Sequence, residues 1–152
     1  MLELILFAVF PILLIAAAIW DGATMTIPNT LNIALALGFL PFAFAVGVDW
    51  QAIGLHALAG LIAFIVGAGL FYARVFGGGD AKLIASVMVW LGPTGAFSFI
   101  YYMALFGGVL ALVILIARRV VTAPPSEPVW LARLLSKTEG VPYALAISPG
   151  AL

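Results

Sequence analysis

Residues 83–117 form an apolar run of about 35 residues without a charged side chain. As one helix rising about 1.5 Å per residue it would measure roughly 52 Å. A bilayer's hydrocarbon core is only about 30 Å thick. The run has to be broken, and Gly92-Pro93-Thr94-Gly95 is the natural place, since proline removes a backbone donor and glycine tolerates unusual backbone angles. This predicts a short helix ending at Leu91 and a full span over about 96–117.

Three further apolar stretches, 4–20, 31–48 and 52–73, precede this run, and a sixth begins at Val141. The composition agrees with a bilayer setting: 66% of residues are hydrophobic and 8% are charged, against about 25% charged in soluble domains, and the mean hydropathy is +1.29. The first stretch ends in Ala16-Ala17-Ala18 but starts Met1-Leu2-Glu3, without the basic region of a signal peptide, so it is read as a membrane helix. The expected fold is an all-α polytopic membrane protein of about six transmembrane helices, the fourth and last short, forming a single domain over 1–152. The last stretch is too short to cross alone and is expected as a half-span or a truncated helix.

If the spans alternate, loops 21–30, 74–82 and 118–140 share one side. They contain Arg74, Lys82, Arg118, Arg119, Arg133 and Lys137, which are all 6 basic residues of the chain. The positive-inside tendency makes that side cytoplasmic. Within the third loop, 128–135 mixes Trp130, leucines and Arg133, as an interfacial amphipathic helix or an ordinary loop would. The zero net charge and lack of basic runs give no reason to expect nucleic acid. With 0 cysteines and 1 histidine there is no disulfide, no thiol nucleophile and no expected metal site.

Ionisable residues near hydrocarbon are costly and are functional candidates by default. Glu3 and Asp49 read as solvated ends, and His56, in the third span, as a packed histidine. Asp21 ends the first span and Asp80 opens the fourth, so the alternating topology puts both at the cytoplasmic ends of helices. They are a possible acid–base pair. Asp80 could instead be a helix N-cap and Asp21 a headgroup contact. Gly77-Gly78-Gly79 before Asp80 exceeds what capping needs and suits a close backbone approach to another chain.

Asp21, Ile27-Pro28-Asn29, Gly77-Gly78-Gly79-Asp80-Ala81-Lys82-Leu83 and Val141-Pro142-Tyr143, in that order, resemble the prepilin peptidases (type IV leader peptidases). The chain looks most like the small TadV/CpaA-like group that processes Flp-type pilins. Its Gly-x-Gly-Asp element is shared with intramembrane aspartyl proteases such as presenilin and signal peptide peptidase. The resemblance implies a membrane-embedded aspartic endopeptidase of the inner membrane, cutting a prepilin leader at the cytoplasmic face, typically after a glycine preceding a hydrophobic helix. It implies Asp21 and Asp80 as catalytic residues, with Gly77, Gly79, Lys82, Pro28 and Asn29 supporting them, Asn29 as the cap of the second helix. Lys82, two positions after Asp80, is expected on a different helix face, where it would meet lipid phosphate or tune the site from a distance. No cofactor is implied, and the partners are a prepilin helix and membrane lipid.

Two departures stand out. Relatives often carry basic residues between the first aspartate and Ile-Pro-Asn, whereas this chain has Gly22-Ala23-Thr24-Met25-Thr26. The larger family members also carry a cysteine-bearing zinc region and an N-methyltransferase activity. This chain lacks the cysteines, so cleavage without methylation is expected. A small transporter, or a non-enzymatic subunit of a pilus or secretion apparatus, is the alternative. The transporter would favour a mid-membrane site and repeats, and the subunit would tolerate loss of either aspartate.

Overall fold

The computed structural model of the chain describes residues 2–75, 77–120 and 141–152. Arg133, Lys137 and the stretch 128–135 lie outside the described residues. All regular elements among the described residues are helices: α1 (Leu2–Thr24), α2 (Asn29–Ala45), α3 (Trp50–Tyr72), α4 (Gly78–Val120) and, renumbered in chain order, α5 (Ala144–Ala151). α1, α3 and α4 are each long and apolar enough to cross a membrane, and α2 is a shorter apolar helix. Large apolar side chains such as Ile62, Ile65, Leu112 and Ile116 point outward, as they do where the surroundings are acyl chains rather than water. The chain is an all-α polytopic membrane protein.

α4 divides at Gly92, whose φ of 62° and ψ of −172° lie in a region open essentially to glycine alone. The expected break is therefore present, and the structure adds what stabilises it. In a helix the Val89 carbonyl would accept from the backbone N–H of the residue four positions on, which is Pro93 and has none. The His56 ring takes its place: Nδ1 lies 2.9 Å from the Val89 oxygen. A carbonyl can only accept, so Nδ1 carries the hydrogen. The same ring stacks on Phe39 at 4.8 Å and lies beside Gly92, where a Cβ would be 2.7 Å from Nε2. His56 is the packed histidine its position in the sequence suggested.

Near the break, Trp90 packs between Phe10 and Phe42 and donates from Nε1 to the Leu35 carbonyl at 2.6 Å. This ties the first limb of α4 to α1 and α2. α3 lies close along the same limb, since a Cβ at Gly67 would come within 3.0 Å of Ala81 Cβ. Such small-residue contacts are how helices associate where lipid leaves little hydrophobic force between them. Asp49, expected as a solvated turn residue, caps α3 by accepting from the Ala52 N–H at 2.8 Å.

α5, of 8 residues, lies between α1 and the second limb of α4 with Ala144, Ala146, Ile147, Ser148, Gly150 and Ala151 buried. Ser148 Oγ donates to the Leu14 carbonyl at 2.9 Å, and Gly150 sits so close to Met103 that a Cβ would be 2.8 Å from its backbone nitrogen. At 8 residues it is far shorter than the roughly 20 that a crossing requires. It runs antiparallel to α4, so the ends of α1, α3 and α4 and the starts of α2, α4 and α5 meet at one end of the bundle. Arg74, Lys82, Arg118 and Arg119 are all at that end.

Candidate active site

Asp21 is in the last turn of α1 and only 4% exposed. Its Oδ2 accepts from the backbone N–H of Ala144 at 3.1 Å. Ala144 is the first residue of α5, where backbone donors lack helical partners and attract anionic oxygens. A carboxylate from one end of the sequence thus caps a helix at the other.

Asp80 is not the N-cap that capping alone would have made it. α4 begins at Gly78, which puts Gly77 at the cap and Asp80 in the first turn. The Asp80 carboxylate folds back to accept from the Gly77 N–H, the reciprocal half of a capping box. This geometry requires glycine at 77, because a Cβ there would lie 2.8 Å from Asp80 Oδ2. Gly79 serves another purpose: a Cβ would be 3.3 Å from Ile27 Cβ and 3.4 Å from Ile27 N. The close approach at Gly79 is made by the protein's own Ile27 rather than by another chain.

The two aspartates come together. Both line a cavity of about 500 Å³ with Met25, Arg74, Pro142 and Tyr143. Both also line a second cavity of about 360 Å³ with Ile27, Asn29, Gly77 and Lys82. The charge of Asp21 bears on the Asp80 carboxyl. No group of three or more histidine, cysteine, aspartate or glutamate side chains able to hold a metal occurs among the described residues.

Two supporting residues differ from expectation. The N-cap of α2 is Pro28, whose carbonyl accepts from the Leu31 N–H at 3.1 Å, and Asn29 is the first helical residue rather than the cap. Its side chain is free for another use: Asn29 Oδ1 accepts from Lys82 Nζ at 2.8 Å. Lys82 was expected on a face away from Asp80, yet it lines the same cavity. The cavity wraps the first turn of α4, and the long lysine stem reaches across to α2.

Two features of the site have no local signature in the sequence. Met25 and Arg74, non-glycine residues in the left-handed region at φ 57° and 58°, both border the larger cavity. Arg74 closes α3 by a paired motif, Val75 N–H to the Leu70 carbonyl and Arg74 N–H to the Phe71 carbonyl, both at 2.9 Å. Each residue accepts a strain of about 1–2 kcal/mol that glycine would avoid.

No curated protein and no solved structure matches the chain. The model of the type IV leader peptidase family matches residues 8–112. That span contains Asp21, Ile27-Pro28-Asn29 and the Gly77–Lys82 segment, but not Val141-Pro142-Tyr143. A match over well more than half the chain, carrying both aspartates in order, makes this protein a member of the type IV leader peptidase family.

Proposed function

We propose that this peptidase is an aspartic endopeptidase that removes the leader of Flp-type prepilins at the cytoplasmic membrane face, without N-methylation, with Asp21 and Asp80 as its catalytic pair. The observation that carries the reading is that these two aspartates, from helices far apart in sequence, border the same two cavities at one end of the bundle.

Two nearby carboxylates do not both ionise easily, so one proton is shared between them. The ionised partner draws a proton from a water lying between them, and that water attacks the scissile carbonyl. The protonated partner hydrogen-bonds to the carbonyl oxygen and then gives its own proton to the leaving amine, so the pair ends as it began, sharing one proton. The Gly77 and Ala144 N–H groups hold the two carboxylates in fixed orientations. Such preorganisation lowers the cost of reaching the reactive geometry. The chemistry needs no metal or cofactor.

Arg74, Lys82, Arg118 and Arg119 at the aspartate end support the cytoplasmic orientation. The absence of cysteines from the whole sequence supports cleavage without the zinc-bearing methylation region of larger relatives. The test is co-expression with a candidate prepilin. Wild type should yield the shortened, unmethylated product, and Asp21→Ala and Asp80→Ala should leave the precursor intact. Processing that survives both substitutions sinks the aspartic reading.

A further inference from the structure

Asn32 is 4% exposed, and neither its Nδ2 nor its Oδ1 has a hydrogen-bond partner. Its backbone is fixed: the Asn32 carbonyl accepts from Ser86 Oγ at 3.0 Å, pinning α2 to α4. The carboxamide is therefore an unmet donor and an unmet acceptor held in a rigid wall. Each such group costs about 1–3 kcal/mol, and a leucine of the same size would avoid that cost.

The wall belongs to a groove of about 410 Å³ with α4 as its floor and α2 and α3 as its sides. At one end it is lined by Asn29 and Lys82, and deeper by Ile33, Ala36, Gly60 and Phe64. Asn29 and Lys82 also line the smaller cavity containing Asp21 and Asp80. The groove thus leads from the aspartates into the apolar interior of the membrane, polar at its mouth and apolar below.

We propose that this groove receives the apolar segment of the substrate that follows the scissile bond, with the Asn32 carboxamide hydrogen-bonding to that segment's backbone. The inference rests on the peptidase reading and deepens it. A peptide must be extended to be cut, so the first backbone N–H groups of the helix beyond the cut have no partners of their own. In a membrane such groups have to be satisfied by protein. A rotation of the Asn32 amide toward the groove offers Oδ1 to one of these N–H groups and Nδ2 to a carbonyl of the extended part. A phospholipid matches less well, since its ester oxygens only accept and would leave Oδ1 unmet.

The test compares two substrates: a full-length prepilin, and a peptide truncated a few residues after the cleavage site, which lacks the segment the groove would hold. Asn32→Leu should raise KM for the full-length substrate about 10-fold, the equivalent of losing one or two hydrogen bonds, with little change in kcat. It should leave the truncated peptide's kinetics and the thermal stability unchanged or slightly improved, which a purely structural asparagine would not. Ala36→Trp, filling the groove, should likewise impair only the full-length substrate.

Because the chain has no cysteine, Ala36→Cys placed in an Asp80→Asn background should cross-link to a single cysteine in the prepilin's apolar segment. Ile100→Cys, on another face of α4, should not. Full-length cleavage at the wild-type rate by both Asn32→Leu and Ala36→Trp overturns the proposal, as does cross-linking from Ile100→Cys in place of Ala36→Cys. Loss of a co-purifying phospholipid from Ala36→Trp with cleavage intact would also overturn it, making the groove a lipid site. If wild type cuts neither substrate, the peptidase reading falls, and the cross-link still decides whether the groove takes the prepilin.

Discussion

Asp21 Oδ2 and the Ala144 N–H, 3.1 Å apart, join the first and last described helices. The carboxylate therefore has an anchoring role beside its proposed chemical one, and two substitutions separate them. Asparagine keeps an oxygen that accepts from Ala144 but cannot exchange the proton. Asp21→Asn should fold with near wild-type stability while prepilin cleavage falls about 10³-fold, the scale of a lost general acid or base. Asp21→Ala should lose the same activity and also about 1–3 kcal/mol of stability, from the orphaned N–H. Thermal unfolding in detergent beside single-turnover cleavage reads both, and more than a tenth of wild-type activity in Asp21→Asn would count against the pair.

At Gly77, an added Cβ would meet Asp80 Oδ2 at 2.8 Å. Gly77→Ala should push the carboxylate out of its capping position without touching the core. We expect kcat to drop about 10²-fold, as for a displacement near 1 Å, with an unfolding temperature close to wild type. An unaltered kcat would show that Asp80 does not need this placement.

His56 and Gly92 act as a unit at the break in α4. His56→Ala leaves the Val89 carbonyl without its substitute donor and should cost about 1–3 kcal/mol. Gly92→Ala forces a side chain into φ 62° and against the His56 ring, and should cost at least as much. The double variant should be markedly less destabilised than the sum of the two, because the clash disappears with the ring. Additive losses in a double-mutant cycle would refute the coupling.

Gly150 and Gly54 test how α5 is seated. A Cβ at Gly150 would lie 2.8 Å from Met103 N, whereas one at Gly54 meets nothing within 4 Å. Gly150→Val should displace α5, loosen its hold on Asp21 and lower stability and cleavage together. Gly54→Ala, in a helix interior, should be neutral or stabilising by about 0.5–1 kcal/mol. If the two behave alike in thermal unfolding and cleavage, the seating of α5 does not depend on this contact.

Hydropathy and the lengths of apolar runs were enough to read the helices, the break at Gly92 and the shared end of the two aspartates. These follow from local rules: a helix has a fixed rise, hydrocarbon a fixed thickness, and glycine and proline interrupt helices wherever they fall. Other properties could not be read this way. Pro28 rather than Asn29 caps α2, Lys82 reaches Asn29, His56 stands in for the donor missing at Pro93, Ala144 binds Asp21, and Asn32 is left unsatisfied.

The reason lies in the solvent. A helix in water marks its inner face by an apolar stripe, but a helix in lipid is apolar on every side. The sequence by itself therefore determined how deep each residue of this protein lies along its helix. Which way each side chain faces, and so which distant residue it meets, was decided only by the packing of helices against one another.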